Sequence, residues 1–178
     1  MTTIEWTRAT DGTPGKTWNP TRGCSPVSPG CANCFAMKQA HRFSGTGKPY
    51  DGLTKLTVAS GPQWTGEVRF VPEMLGRPLR WKRPRMVFVN SMSDLFHDAL
   101  TNEQIAAVFG VMAACPQHTF QVLTKRPERM RSWFRWAGDG SVVEQMREVA
   151  LAGRVAEVLQ EERVKPVRGW PGYFVTSS

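Results

Sequence analysis

Cysteine and histidine are scarce in this chain, with four and three among 178 residues, and three of the cysteines fall within residues 24–34. A chain of this length buries a sizeable core without cross-links, so a disulfide framework is excluded as its source of stability. No apolar run approaches the roughly 20 residues of a membrane-spanning helix. No leader of the charged-then-apolar kind opens the sequence, and internal repeats and low-complexity tracts are absent. The chain therefore reads as cytoplasmic with no membrane contact, a setting in which clustered thiols serve metals or redox chemistry. Acidic residues are also few: 15 Asp and Glu against 23 Lys and Arg leave a charge of +8, which favours an anionic partner such as nucleic acid or a nucleotide. The excess is uneven. Arg77, Arg80, Lys82, Arg83 and Arg85 surround Trp81, and Lys125, Arg126, Arg129, Arg131 and Arg135 surround Trp133 and Trp136. Such interleaving suits phosphate pairing with base stacking, or equally aromatics in a core beneath solvated charges.

Residues 1–178 read as a single domain in two parts. Residues 7–66 are rich in Gly, Pro, Ser and Thr, a loop-rich region whose order calls for an external source such as a bound metal. Residues 67–178 carry βα periodicity. Strands are expected at 67–71, 85–90 and 119–124, and the continuous apolar character of the last two predicts a sheet covered on both faces. Between those two, Thr101 and Gln104 form a capping box for a helix carrying Ile105, Val108, Phe109 and Met112, ended at Cys115-Pro116. Pro127 opens another helix with Met130, Trp133 and Phe134 as its apolar stripe. A longer helix is expected from Val142 to about Val164, and a strand at 172–176. A βα series that stops on a strand leaves a bare edge, so C-terminal truncation is expected.

Parallel α/β sheets gather ligands at the carboxyl ends of their strands. Three polar loops here belong to that edge: the cysteine loop after a short strand at Thr17-Trp18-Asn19, the segment from Asn90 and Ser91 through Asp94 to His97, and Thr124-Lys125-Arg126. Cys24, Cys31 and Cys34 form C-x6-C-x2-C, three thiolates for a soft or borderline metal with one coordination position open. His41 as fourth ligand makes a Cys3His zinc site; without it, a 4Fe-4S cluster keeps a free iron for a small molecule. The spacing leaves both open. Gly30 permits close backbone approach, and Phe35 and Met37 are candidates to exclude water. Asp94 and His97 are candidate ligand-binding or acid–base groups, or a turn cap and a surface residue. Lys125 and Arg126 are placed to hold a carboxylate or phosphate.

The motifs Thr17-Trp-Asn-Pro20, Gly23-Cys24, Val27-Ser-Pro-Gly-Cys-Ala-Asn-Cys-Phe35, Trp64-Thr-Gly66, Ser91-Met-Ser-Asp-Leu-Phe-His97 and Leu123-Thr-Lys-Arg-Pro127 together resemble the phage-associated three-Cys-motif family of unknown function. That family is similar to divergent radical S-adenosylmethionine proteins. The resemblance implies a partial (β/α) barrel, a 4Fe-4S cluster on Cys24, Cys31 and Cys34, and S-adenosylmethionine beside it. The cofactor would be held by residues drawn from Asn90, Ser91, Asp94, His97, Lys125 and Arg126. It also implies an external reductant and a three-Cys-motif partner protein, with a cluster-bearing but inactive member as the alternative to an enzyme. The loop between the first two cysteines is longer than the superfamily's usual one, and Asn33 stands where an aromatic is common.

Overall fold

The computed structural model describes residues 12–138 and the strand Val175–Ser177. The helix expected from Val142 and most of the final strand segment lie outside the described residues.

Four strands, β1 (Lys16–Trp18), β6 (Met86–Val89), β7 (Thr119–Thr124) and β8 (Val175–Ser177), form one parallel sheet in the order β1-β6-β7-β8. β6 and β7 are the apolar runs expected from their β-branched and aromatic content. The helix between them, α2 (Asn102–Ala114), begins at a complete capping box. The Gln104 amide donates to Thr101 Oγ1 at 3.2 Å and the Thr101 amide to Gln104 Oε1 at 3.0 Å. α3 (Pro127–Gly138) starts on its proline, whose missing N–H is not needed in a first turn.

The strands succeed one another across the sheet without reversal, so right-handed crossovers carry α2 and α3 to the same face. One cluster accordingly joins Trp18, Val87, Val89, Phe120 and Val122 to Ile105, Phe109 and Met112 of α2 and Trp133 of α3. Phe109 stacks on Trp133 with ring centroids 4.5 Å apart. Among the described residues, helices cover one face of this sheet. Thr17, Phe88, Gln121 and Leu123, which alternate with the core residues, are only half-buried, because both described crossover helices lie on one side.

The region expected to be loop-dominated has a small core of its own. α1 (Phe35–Arg42) packs on a hairpin of β3 (Thr54–Thr57) and β4 (Gly61–Trp64), burying Met37, Ala40, Tyr50, Leu53 and Trp64. Met37 and Ala40 lie one helical turn apart on the inward face of α1. Hydrophobic burial therefore supplies order there for which the sequence suggested an external source such as a bound metal. A two-residue antiparallel pairing of β2 (Thr21–Arg22) with β5 (Arg69–Phe70) ties this unit to the sheet. No helix among the described residues is long and apolar enough to cross a membrane.

The two basic–aromatic groups do not make one stacking surface. Trp133 is fully buried, Trp136 packs against the main core, and Trp81 lies against His118 with ring centroids 5.8 Å apart. Arg85 precedes β6 and Lys125 follows β7, so the two groups begin at opposite ends of parallel strands.

Candidate metal centre

The loops that leave β1, β6 and β7 meet at the carboxyl edge and are stitched by side chains. Asn19 Oδ1 accepts from the Ser91 hydroxyl at 3.2 Å and the Met92 amide at 3.1 Å, and Thr21 Oγ1 lies 2.7 Å from Ser93 Oγ. Gly23 pairs with Ser93 in a parallel bridge at φ +87°, and its α-carbon faces the Glu67 carbonyl so closely that a β-carbon has no room. Glycine is required immediately before Cys24 for that reason.

Asp94 is the hub. Its Oδ1 accepts from the Phe96 amide at 3.0 Å and the Thr124 hydroxyl at 2.7 Å, and its Oδ2 from the Lys125 amide at 3.0 Å and Arg126 Nη1 at 3.3 Å. The ion pair is buried, with the Arg126 and Asp94 side chains 5% and 9% exposed. A buried carboxylate persists only when its lone pairs are satisfied in this way. Arg126 then reaches the cysteine loop: Nη2 donates to the Ser25 carbonyl at 2.9 Å and hydroxyl at 3.0 Å, and Nη1 lies 3.8 Å from Cys24 Sγ. Its Nε stands 3.6 Å from Asp98 Oδ2, beyond hydrogen-bond length. Exposed Lys125 donates to the Gly30 carbonyl at 3.0 Å and sits 4.0 Å from Cys31 Sγ.

The three candidate thiols are free and half-buried. Burial pushes the Cys24 thiol up despite the opposing Arg126 charge. Burial also works to raise Cys31, but hydrogen bonds from the Val27 and Ser28 backbone, the Ser28 hydroxyl and the Lys125 charge together bring it below the ordinary thiol value. His97 is buried, and desolvation with the Arg126 charge lowers its pKa. The Ala99 amide donates to its Nδ1 at 3.1 Å, which places the proton of the neutral ring on Nε2, 2.8 Å from Ser25 Oγ. Asn90 directly follows β6 in the left-handed region at φ 56° and is 3% exposed, and neither its Oδ1 nor its Nδ2 has a hydrogen-bond partner among the described residues. A buried carboxamide left so costs folding free energy.

The structure thus brings together Cys24, Cys31, Asp94, His97, Lys125 and Arg126, with Asn90 and Ser91 on the adjoining strand end. It places other candidates elsewhere. His41 Nδ1 lies 3.1 Å from Thr54 Oγ1 because α1 turns that side of the helix to the hairpin. Met37 is buried in the small core against which Cys24 and Cys34 pack, whereas Phe35 is 67% exposed and does not shield the thiols. Among the described residues, no three His, Cys, Asp or Glu side chains converge as a metal site does. Ser25 and Thr21 were not singled out from sequence, and Asn19 and Thr124 were named only as parts of the strand and loop at this edge.

Fold and site together define an α/β protein whose parallel sheet carries a three-cysteine loop, an internal ion pair and an unpaired buried carboxamide at its carboxyl edge. The chain belongs to the family described as Protein of unknown function (DUF5131), whose model matches residues 1–172. No curated protein and no solved structure matches it.

Proposed function

We propose that this is an iron–sulfur protein of the radical S-adenosylmethionine type. In this reading Cys24, Cys31 and Cys34 hold a 4Fe-4S cluster, and the adjoining carboxyl edge holds S-adenosylmethionine for work on a nucleic acid or nucleotide. The observation that carries the reading is Asn90, a buried carboxamide with both polar atoms unpartnered, on the edge to which Arg126 fastens the cysteine loop. The donor set suits a cluster: three free thiols, with a guanidinium and an ammonium near two of the sulfurs to balance anionic charge. Residues 26–30 are exposed, so cluster capture is coupled to gathering of this loop about the metal. Strands laid side by side in chain order, with both described crossover helices on one face, support a segment of a (β/α) barrel.

Bound there, the cluster would supply one-electron chemistry. The chain's own residues have distinct tasks. Asp94 fixes Arg126, Arg126 and Lys125 position the cysteine loop, and Asn90 and Ser91 offer polar groups to the cofactor. An external reductant and a three-Cys-motif partner protein have access where Val27 and Phe35 stand exposed beside the cysteines.

Anaerobic reconstitution with iron and sulfide tests the reading. Brown protein with four irons per chain is expected by the stoichiometry of a 4Fe-4S cluster, followed by 5′-deoxyadenosine on adding dithionite and S-adenosylmethionine. Colourless protein carrying one zinc overturns it, and a cluster that never yields 5′-deoxyadenosine leaves an inactive cluster-bearing member. His41→Ala distinguishes the metals again, since it would weaken a Cys3His zinc site and spare a three-cysteine cluster.

A further inference from the structure

We infer that Ser25 is a committed hydrogen-bond donor to the occupant of the three-cysteine site, an anionic sulfur of the cluster. The inference rests on the iron–sulfur reading and deepens it.

The direction of the Ser25 hydroxyl follows from its neighbours. A serine oxygen has two lone pairs and one proton. The Ala99 amide cannot accept, so His97 Nδ1 must, and the ring's Nε2 carries the hydrogen that faces Ser25 Oγ at 2.8 Å. Protonation of His97 would leave that Nε2 hydrogen in place. The second lone pair accepts from Arg126 Nη2 at 3.0 Å, and a guanidinium is never an acceptor. With both lone pairs taken, the hydroxyl hydrogen points away from His97 and Arg126, and no described residue is within reach to accept it. Ser25 is half-exposed, directly follows Cys24 and opens the loop to Cys31. Its donor is therefore held by two buried side chains in a direction where no described residue accepts it.

The surrounding charge says what kind of acceptor belongs there. Arg126 Nη1 lies 3.8 Å from Cys24 Sγ and Lys125 Nζ 4.0 Å from Cys31 Sγ, so the edge is cationic beside its sulfurs. Hydrogen bonds to cluster sulfur stabilise the more negative, reduced state and raise the reduction potential. His97, in turn, acts through Ser25 as a positioning residue.

Redox titration of reconstituted wild type, Ser25→Ala and Ser25→Thr, followed by electron paramagnetic resonance, decides the matter. The alanine variant is expected to keep its iron and shift to a more negative potential, and threonine to restore the wild-type value. An alanine variant at the wild-type potential overturns the inference, as does a threonine variant shifted as far as alanine. Should the alanine variant hold no iron, threonine must still hold it at the wild-type potential. The reduced wild-type cluster must then show a coupled exchangeable deuteron after transfer to D2O, and its absence also overturns the inference. A wild type that assembles no cluster sinks the iron–sulfur reading itself, a result distinct from all of these.

Discussion

Asp94→Asn isolates the contribution of the hub. The substitution preserves shape, but a carboxamide has one acceptor oxygen where Asp94 uses two, each with two donors. If the amide nitrogen takes the Oδ2 place, it faces the Lys125 amide and the Arg126 guanidinium, donor against donor. Flipped, it faces the Phe96 amide instead. Either way Arg126, whose side chain is 5% exposed, loses its buried counter-charge. Breaking a buried pair from one side costs about 3–5 kcal/mol, a large part of the ~5–15 kcal/mol that holds a domain together. With a urea m-value of about 2 kcal/mol/M, the unfolding midpoint should fall by roughly 2 M at unchanged m. Tryptophan fluorescence reports it, because Trp18 and Trp133 are fully buried. The Asp94→Asn, Arg126→Met double variant is expected to cost less than Asp94→Asn alone, since no buried charge remains unpaired. A midpoint shift below about 0.5 M, which is about 1 kcal/mol, would refute the assignment of Asp94 as the hub.

Other outcomes follow from single contacts. Gly23→Ala forces the Glu67 carbonyl aside and places alanine at φ +87°, so a loss of about 2 kcal/mol or more is expected in thermal unfolding, and an unchanged melting temperature would count against the close approach. Trp133→Ala opens a cavity beneath Phe109 and should cost about 3–5 kcal/mol by urea titration. Asn90→Gly suits the left-handed backbone and removes the unpartnered carboxamide; stability should hold within about 1 kcal/mol while S-adenosylmethionine affinity of the reconstituted protein falls, and unaltered affinity would remove Asn90 from the site. Burial depresses the pKa of His118, assisted by the Arg85 charge and opposed by the hydrogen bond to the Pro78 carbonyl. Below pH about 6.5 the unfolded chain therefore binds a proton that the folded chain resists. Stability should be full above that pH and decline on acidification, with a shallower slope in His118→Gln; a flat profile from pH 7 to about 5 would contradict it.

Elements governed by local signals were legible in the sequence. The Thr101–Gln104 box begins α2 where expected, and 119–124 is a strand because its six residues form an apolar run between turn signals. The meeting of the three loops at one edge was legible too, since it follows from parallel strands alone. Less visible was the small core about Met37, Leu53 and Trp64. Its members are scattered among Gly and Pro with no common period, so only packing of α1 on the hairpin unites them.

The sequence by itself determined the three-thiol loop, the basic balance, and the strand–helix–strand unit that carries the second and third polar loops, because spacing and periodicity are properties of neighbours along the chain. Tertiary structure alone decided what each polar residue does. Asp94 is an internal anchor, His97 a support for Ser25, His41 a partner of Thr54, and Asn90 a carboxamide without a partner among the described residues. The reason is physical: a hydrogen bond's partner is set by distance in space, and Ser25 meets His97 and Arg126 across separations of 72 and 101 residues.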